Sequence, residues 1–220
     1  MAERRAGAKA GLSRELVFDA ALDYLDSHGL PALSMRKLGA ALGVEAMTLY
    51  NYVPNKDALL DGLVDRVMEI AFSGLADPAP GDWVPWMREF AHQLRGALLA
   101  HPGVLPLAGT RPVNSPDALR MSERWLAGMR AAGVPLGRAM DIVNVIATFT
   151  IGHTLAEAGQ TPGHEGSEPN LDDRAGELDP AEFPNLTEIL ATRAGLDFDH
   201  RFTQAIDILL AGYAALDQVA

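Results

Sequence analysis

Signals that start and stop helices recur through the first quarter of the chain, at spacings that leave room only for short helices packed closely together. Ser13 stands where a side-chain oxygen caps a helix start, and Leu16, Val17, Ala20, Ala21, Tyr24 and Leu25 follow at three-to-four spacing. Gly29 ends that run. Ser34 caps a second, with Met35, Leu38 and Leu42 on its inner face, and Gly43 breaks it. A third runs from about Glu45 to Tyr52 and is stopped by Pro54. Asn55 opens a fourth that carries Leu59, Leu60, Leu63, Val67 and Ile70 inward.

Beyond a Pro-, Gly- and Asp-rich connection at 73–82, the helical period continues. Trp83 to Ala100 is strongly amphipathic, 101–114 is broken by Pro and Gly, and Ser115-Pro116 caps a helix reaching Ala132. From Pro135 to about Ala158 the chain is almost all apolar, so a helix there is expected to be buried on several sides. Shorter helical patterns follow at about Leu186–Thr192 and Asp199–Leu216. Between them, residues 160–184 hold Glu165, Glu168, Asp172, Asp173, Glu177, Asp179 and Glu182 against a single Arg, and an acidic mobile loop is expected. No strand pattern of any length appears. The expected fold class is all-α.

The net charge of −11 argues against nucleic acid only until its distribution is considered. Residues 1–56 carry seven Lys/Arg and six Asp/Glu, whereas 57–220 carry eleven and twenty-three. The extreme N-terminus is basic, with Arg4, Arg5, Lys9 and Arg14 against Glu3, and residues 1–12 read as a flexible basic arm. A near-neutral head with a basic tip therefore sits on an acidic body that DNA would repel. The sequence has no cysteine, which excludes disulfides and thiolate metal sites and fits a reducing cytoplasm, the expected location. No run of about 18 apolar residues is present, so no membrane span is expected. The six histidines are scattered without metal-ligand spacing, and no phosphate loop or nucleophile elbow occurs, so neither a metal site, a cofactor nor an enzyme is expected.

Residues 34–60 carry the sharpest functional signal. Gly39 and Ala40 are small enough for two helices to touch, and Gly43 turns the chain between them. Val44 and Leu49 then point back onto Leu38 and Leu42. Ala46, Met47, Thr48, Tyr50, Asn51 and Tyr52 are left facing outward on a short helix of the size that enters a DNA major groove. Arg36 and Lys37 lie at the start of the supporting helix, and Lys56 opens the fourth.

The order L-x-x-x-L-G-V-x-x-x-T-L-Y-x-x-V-x-N-K-x-x-L-L, from Leu38 to Leu60, resembles the DNA-binding domain of the tetracycline-repressor family. The resemblance implies a helix-turn-helix domain at 13–60, with Thr48, Tyr50, Tyr52 and Lys56 on phosphates and Arg36 reading a guanine. Ala46, Met47 and Asn51 would occupy further base-facing positions. It also implies a ligand-binding and dimerisation domain at 61–220, a double-stranded operator as partner, and a homodimer formed through helices at about 135–158 and 199–216. Met140, Val143, Ala147, Ile151, Ile206, Leu209 and Leu210 would supply the apolar surface of that dimer.

Where the family's namesake has polar pocket liners and a metal-binding His, this chain is apolar. Phe72, Phe90, Leu94, Leu107, Trp125 and Ala156 fall at those positions, with Thr110, Arg111, Asn144, Thr148 and His153 left for polar contacts. The implied inducer is a mainly hydrophobic or aromatic small molecule bound without metal. The function implied is a ligand-responsive repressor on a palindromic operator. A helical ligand-binding protein or enzyme that shares the fold without binding DNA remains the alternative.

Overall fold

The computed structural model describes residues 11–76, 81–111, 113, 115–159 and 178–216. Most of the basic arm and of the acidic loop therefore lies outside the described residues. The helices are α1 (Arg14–His28), α2 (Met35–Ala41), α3 (Ala46–Leu49), α4 (Lys56–Ser73), α5 (Trp83–Ala100), α6 (Leu105–Ala108), α7 (Pro116–Ala131), α8 (Leu136–Ala158), α9 (Pro184–Thr192) and α10 (Phe198–Leu216). Among the described residues there is no strand.

The local signals act as the sequence predicts. Each expected cap accepts an otherwise orphaned N–H: Ser13 Oγ from Leu16 at 3.1 Å, Ser34 Oγ from Lys37 at 3.3 Å, Asn55 Oδ1 from Ala58 at 2.8 Å and Ser115 Oγ from Ala118 at 3.1 Å. Two features of the head differ from expectation. The buried face of α1 is Val17, Phe18, Ala21, Leu22 and Leu25, while Leu16 is exposed. Phe18 is drawn in because α4 offers no side chain opposite it. A Cβ on Gly62 would lie 2.3 Å from the Phe18 ring, so the ring occupies the place a larger residue would need. The third helix is also shorter than the stretch to Tyr52. After Leu49 the bonds tighten to three-residue closure, Asn51 N–H to Thr48 O at 3.3 Å and Tyr52 N–H to Leu49 O at 2.9 Å. Approach to Pro54 brings this change, because a residue before proline is disfavoured in the α region.

The body packs α5 against α4, α8 and α10, with α7 laid across α4 and α8. Met87, Phe90, Leu94, Leu98, Ile142 and Ile146 fill its centre. Arg95 of α5 ties it electrostatically. Its guanidinium donates to both Glu157 oxygens of α8, at 2.8 and 2.6 Å, and to Asp199 of α10 at 2.6 Å, which raises its already high pKa further.

The apolar helix α8 is not buried on several sides. It hides one stripe, Ala139, Ile142, Ile146, Thr150 and Thr154, and leaves Met140, Val145 and Leu155 open. Among the described residues its main packing partners are α5, α6, α7 and α10. By length and composition alone α8, with 23 residues and an 18-residue stretch of mean hydropathy 1.3, is long and apolar enough to cross a membrane, a property that core helices share. Of the apolar residues expected on a dimer face, Ile206 and Leu210 are instead fully buried within the chain. Val143, Ala147, Ile151 and Leu209 are partly buried against the core. The exposed apolar surface of α10 centres on Ile208, 66% exposed.

Candidate nucleic-acid interface and effector cavity

The turn between α2 and α3 is held by backbone contact that only glycine permits. A Cβ on Gly39 would meet Val44 O at 3.0 Å and Ala46 N at 3.1 Å, and Gly43 sits at φ +66°. Val44 N–H donates to Gly39 O at 2.8 Å, closing the turn. Leu38 and Leu49 are fully buried beneath it, with Leu42 and Val44 at the margin.

This scaffold turns most of the expected reading residues to solvent. Arg36, Lys37, Met47, Tyr50, Asn51 and Lys56 are exposed, and Met47, at 72%, is the most exposed large apolar residue described. Thr48 is half-buried. Ala46 and Tyr52 also pack against the core, so each divides its surface between scaffold and outward face. Three cationic side chains flank a short helix with an apolar, aromatic and amide tip. That arrangement suits phosphate contact from the sides and base-edge contact from the tip.

In the body, four aromatic side chains form a box. Phe72 of α4 stacks on Phe90 of α5, with centroids 4.6 Å apart, and Trp86 lies 6.3 Å from Phe72 and 6.3 Å from Trp125 of α7. Trp86 is fixed by its indole N–H donating to Ala76 O at 2.6 Å. The Trp125 N–H is buried without a hydrogen-bond partner. A small cavity of about 50 Å³ opens between Phe72, Leu75, Ala76, Trp86, Met121, Arg124 and Trp125, and the fully buried Phe90 backs it without lining it. Trp86 was missed in the sequence, although its spacing of four from Phe90 puts both on one helix face.

The other expected pocket residues are distributed differently. Leu94 and Leu107 are buried core. Asn144, Thr148 and Ala156 lie on the exposed side of α8 and do not reach the box, because the helix turns its Ile142–Ile146 stripe inward. Thr110 spends its hydroxyl on Pro106 O at 2.8 Å. Arg111 is directed away from the box onto Asp57 and Asp61 of α4. His153 belongs to a second cluster with Phe149, Phe198 and Phe202, where burial lowers its pKa and neither ring nitrogen has a hydrogen-bond partner.

An outward short helix on a glycine-closed turn, joined to an all-helical body with an aromatic cavity, defines a helix-turn-helix transcriptional regulator. The chain belongs to the tetracycline-repressor family. Residues 17–63 match the family model described as bacterial regulatory proteins, tetR family, and residues 75–216 match that of the tetracyclin repressor-like C-terminal domain. Similar proteins include the class D tetracycline repressor of Escherichia coli, 32% identical over 206 residues that span 93% of this chain and 90% of that one. The transcriptional repressor DrrR1 of Streptomyces coeruleorubidus is 29% identical over 93% of this chain and 81% of its own. Among solved structures, apo ActR of Streptomyces coelicolor aligns with a TM-score of 0.75 at 29% identity, covering 97% of this chain and 100% of that one. ActR in complex with actinorhodin aligns at 0.71 and 30% identity, covering 94% and 98%.

Proposed function

We propose that this chain is a homodimeric repressor that holds a palindromic operator through α3 of each copy and lets go when a mainly hydrophobic, aromatic small molecule enters the box of Phe72, Trp86, Phe90 and Trp125. The observation that carries the DNA half is the outward face of α3, where Met47, Tyr50 and Asn51 stand clear of the protein between Arg36, Lys37 and Lys56. Two such heads placed about 34–36 Å apart meet successive major grooves. The apolar side of α8 and the exposed Ile208 of α10 give the surface for pairing two copies, and α8 with α10 is the expected interface.

The effector half rests on the aromatic lining and on Leu107, which puts a buried alkyl group where a metal-ligating side chain would be needed. Drug-sized ligands occupy roughly 300–1,000 Å³, far more than the cavity seen here, so entry has to part α4 from α5 and α7. Because Phe72 lies on α4, that movement reaches the helix whose first residue is Lys56. Ligand and operator affinities are then linked reciprocally.

Selection of bound sequences from random DNA, followed by gel shift on the recovered operator, tests the DNA half. Tyr50→Ala and Lys56→Ala are expected to weaken binding about tenfold each while the dimer persists, with a shallower salt dependence for Lys56→Ala. Unchanged affinity in both variants overturns the groove assignment.

A further inference from the structure

The segment 101–111 of the body is fastened to both long helices of the head, at its two ends by different chemistry. At the first end, Asp26 of α1 accepts the Gly103 N–H at 2.9 Å through Oδ1 and holds the His101 ring at 2.8 Å through Oδ2. Backbone contact there is close: a Cβ on Gly103 would sit 2.9 Å from Leu25 Cγ and 3.0 Å from Asp26 Oδ1. At the other end, Arg111 reaches α4. One guanidinium nitrogen donates to Asp61 Oδ1 and, at 3.3 Å, to the Asp57 carbonyl, and another donates to Asp57 Oδ1 at 3.2 Å. Between the ends, Val104, Leu105 and Leu107 are buried, and a Cβ on Gly109 would lie 3.8 Å from Ile151 Cγ2 of α8. The segment is therefore a wedge rather than a loose loop.

Asp57 and Asp61 occupy the first two turns of α4, immediately after Lys56. Two carboxylates beside a phosphate-binding lysine oppose DNA unless their charge is met within the protein. Arg111 meets both at once, and its three donated bonds fix the orientation of the same two turns. The bond to Asp61 is part-buried and so screened less by counterions than a surface pair, whereas Asp57 stays open to solvent.

We propose that Arg111 is a positioning residue of the operator interface. It sets the angle of the α4 start and neutralises the acidic pair next to Lys56, and it does so from the body rather than from the head. It serves this role in place of the ligand contact implied by its position in the family pattern. The inference rests on the repressor reading, since it concerns operator binding by the same interface.

The test uses the full-length protein and the operator recovered from random DNA, read by fluorescence anisotropy over a range of salt, with no effector present. Arg111→Ala is expected to weaken operator binding tenfold or more at unchanged dimerisation and helix content. Arg111→Lys, which keeps one charge but loses the forked geometry, is expected to fall between. The exchange Arg111→Asp with Asp61→Arg is expected to recover affinity to within about threefold of wild type, which a general loss of packing would not do. If Arg111→Ala does not fold, Arg111→Lys and the exchanged pair carry the test. Wild-type affinity in Arg111→Ala, or a folded exchanged pair that stays as weak as Arg111→Ala, overturns the proposal. Failure of the wild-type protein to select any DNA sequence instead overturns the repressor reading on which it rests.

Discussion

Helices α4 and α8 are both long and apolar, yet they finish their surfaces in opposite ways. From Leu59 to Ala71, α4 is enclosed by α1, α5, α6 and α7, and even Asp65 is taken out of solvent. The more hydrophobic α8 meets its neighbours along one stripe and turns Met140, Val145 and Leu155 outward. Hydrophobicity alone therefore does not measure burial within a chain. The helix that joins head to body is satisfied within the chain, whereas α8 leaves part of its apolar surface open, the surface on which pairing with a second copy is proposed.

The largest effect is expected from attacking the open side. Ile208→Glu, on the α10 surface next to α8, should convert the dimer to monomer in sedimentation and lower operator affinity by about 100-fold or more, because the second head is lost. A dimer of wild-type strength in this variant would break the contrast. On the enclosed side, Phe90→Ala empties a fully buried position beside Phe72 and should cost about 3–5 kcal/mol in chemical denaturation.

A smaller effect concerns Asp65. Burial raises its pKa, with Asp61 adding to the rise and the neighbouring Ser115 and Arg14 opposing it, and neither carboxylate oxygen has a partner at good hydrogen-bond geometry. A carboxyl whose folded pKa is raised favours the fold at acid pH, and that contribution is lost as pH rises through the folded pKa. Asp65→Asn should therefore raise Tm at pH 7 by a few degrees, roughly 2–4 °C per kcal/mol recovered, with the gain shrinking as pH falls toward 4. Equal gain at both pH values would show that the ionised carboxylate is not the source.

The smallest expected effect is at His153 of α8. Burial lowers its pKa below the ordinary value of 6.5, so its neutral form supports the fold above that pH, and the support is lost as pH falls through the folded pKa. His153→Gln should flatten the fall of Tm between pH 7 and 5. An unchanged slope would place the acid sensitivity elsewhere.

Much of the head was legible in the sequence because its signals are local. Ser13, Ser34 and Asn55 cap their helices within three residues, and the Gly39–Gly43 turn needs only small residues at fixed spacing. The body was less legible. Trp86 shares a helix face with Phe90, but only the approach of Phe72 and Trp125 makes it part of a box. Asn144, Thr148 and Ala156 carried no local mark to say which side of α8 would face inward. Phe18 was overlooked for a related reason, since its place depends on the missing side chain of Gly62 on another helix.

The sequence by itself determined where the capped helices begin, that no strand pattern competes with them, and which short helix is offered outward. These outcomes follow from hydrogen bonds and sterics within a few residues. The tertiary structure alone decided that Arg111, 50 residues beyond Asp61, would turn from the body's interior to the start of α4, and which stripe of α8 the chain would keep for itself. Both depend on which surfaces meet after the chain collapses, and hydrophobic attraction, being non-directional, leaves that choice to the packing of the whole.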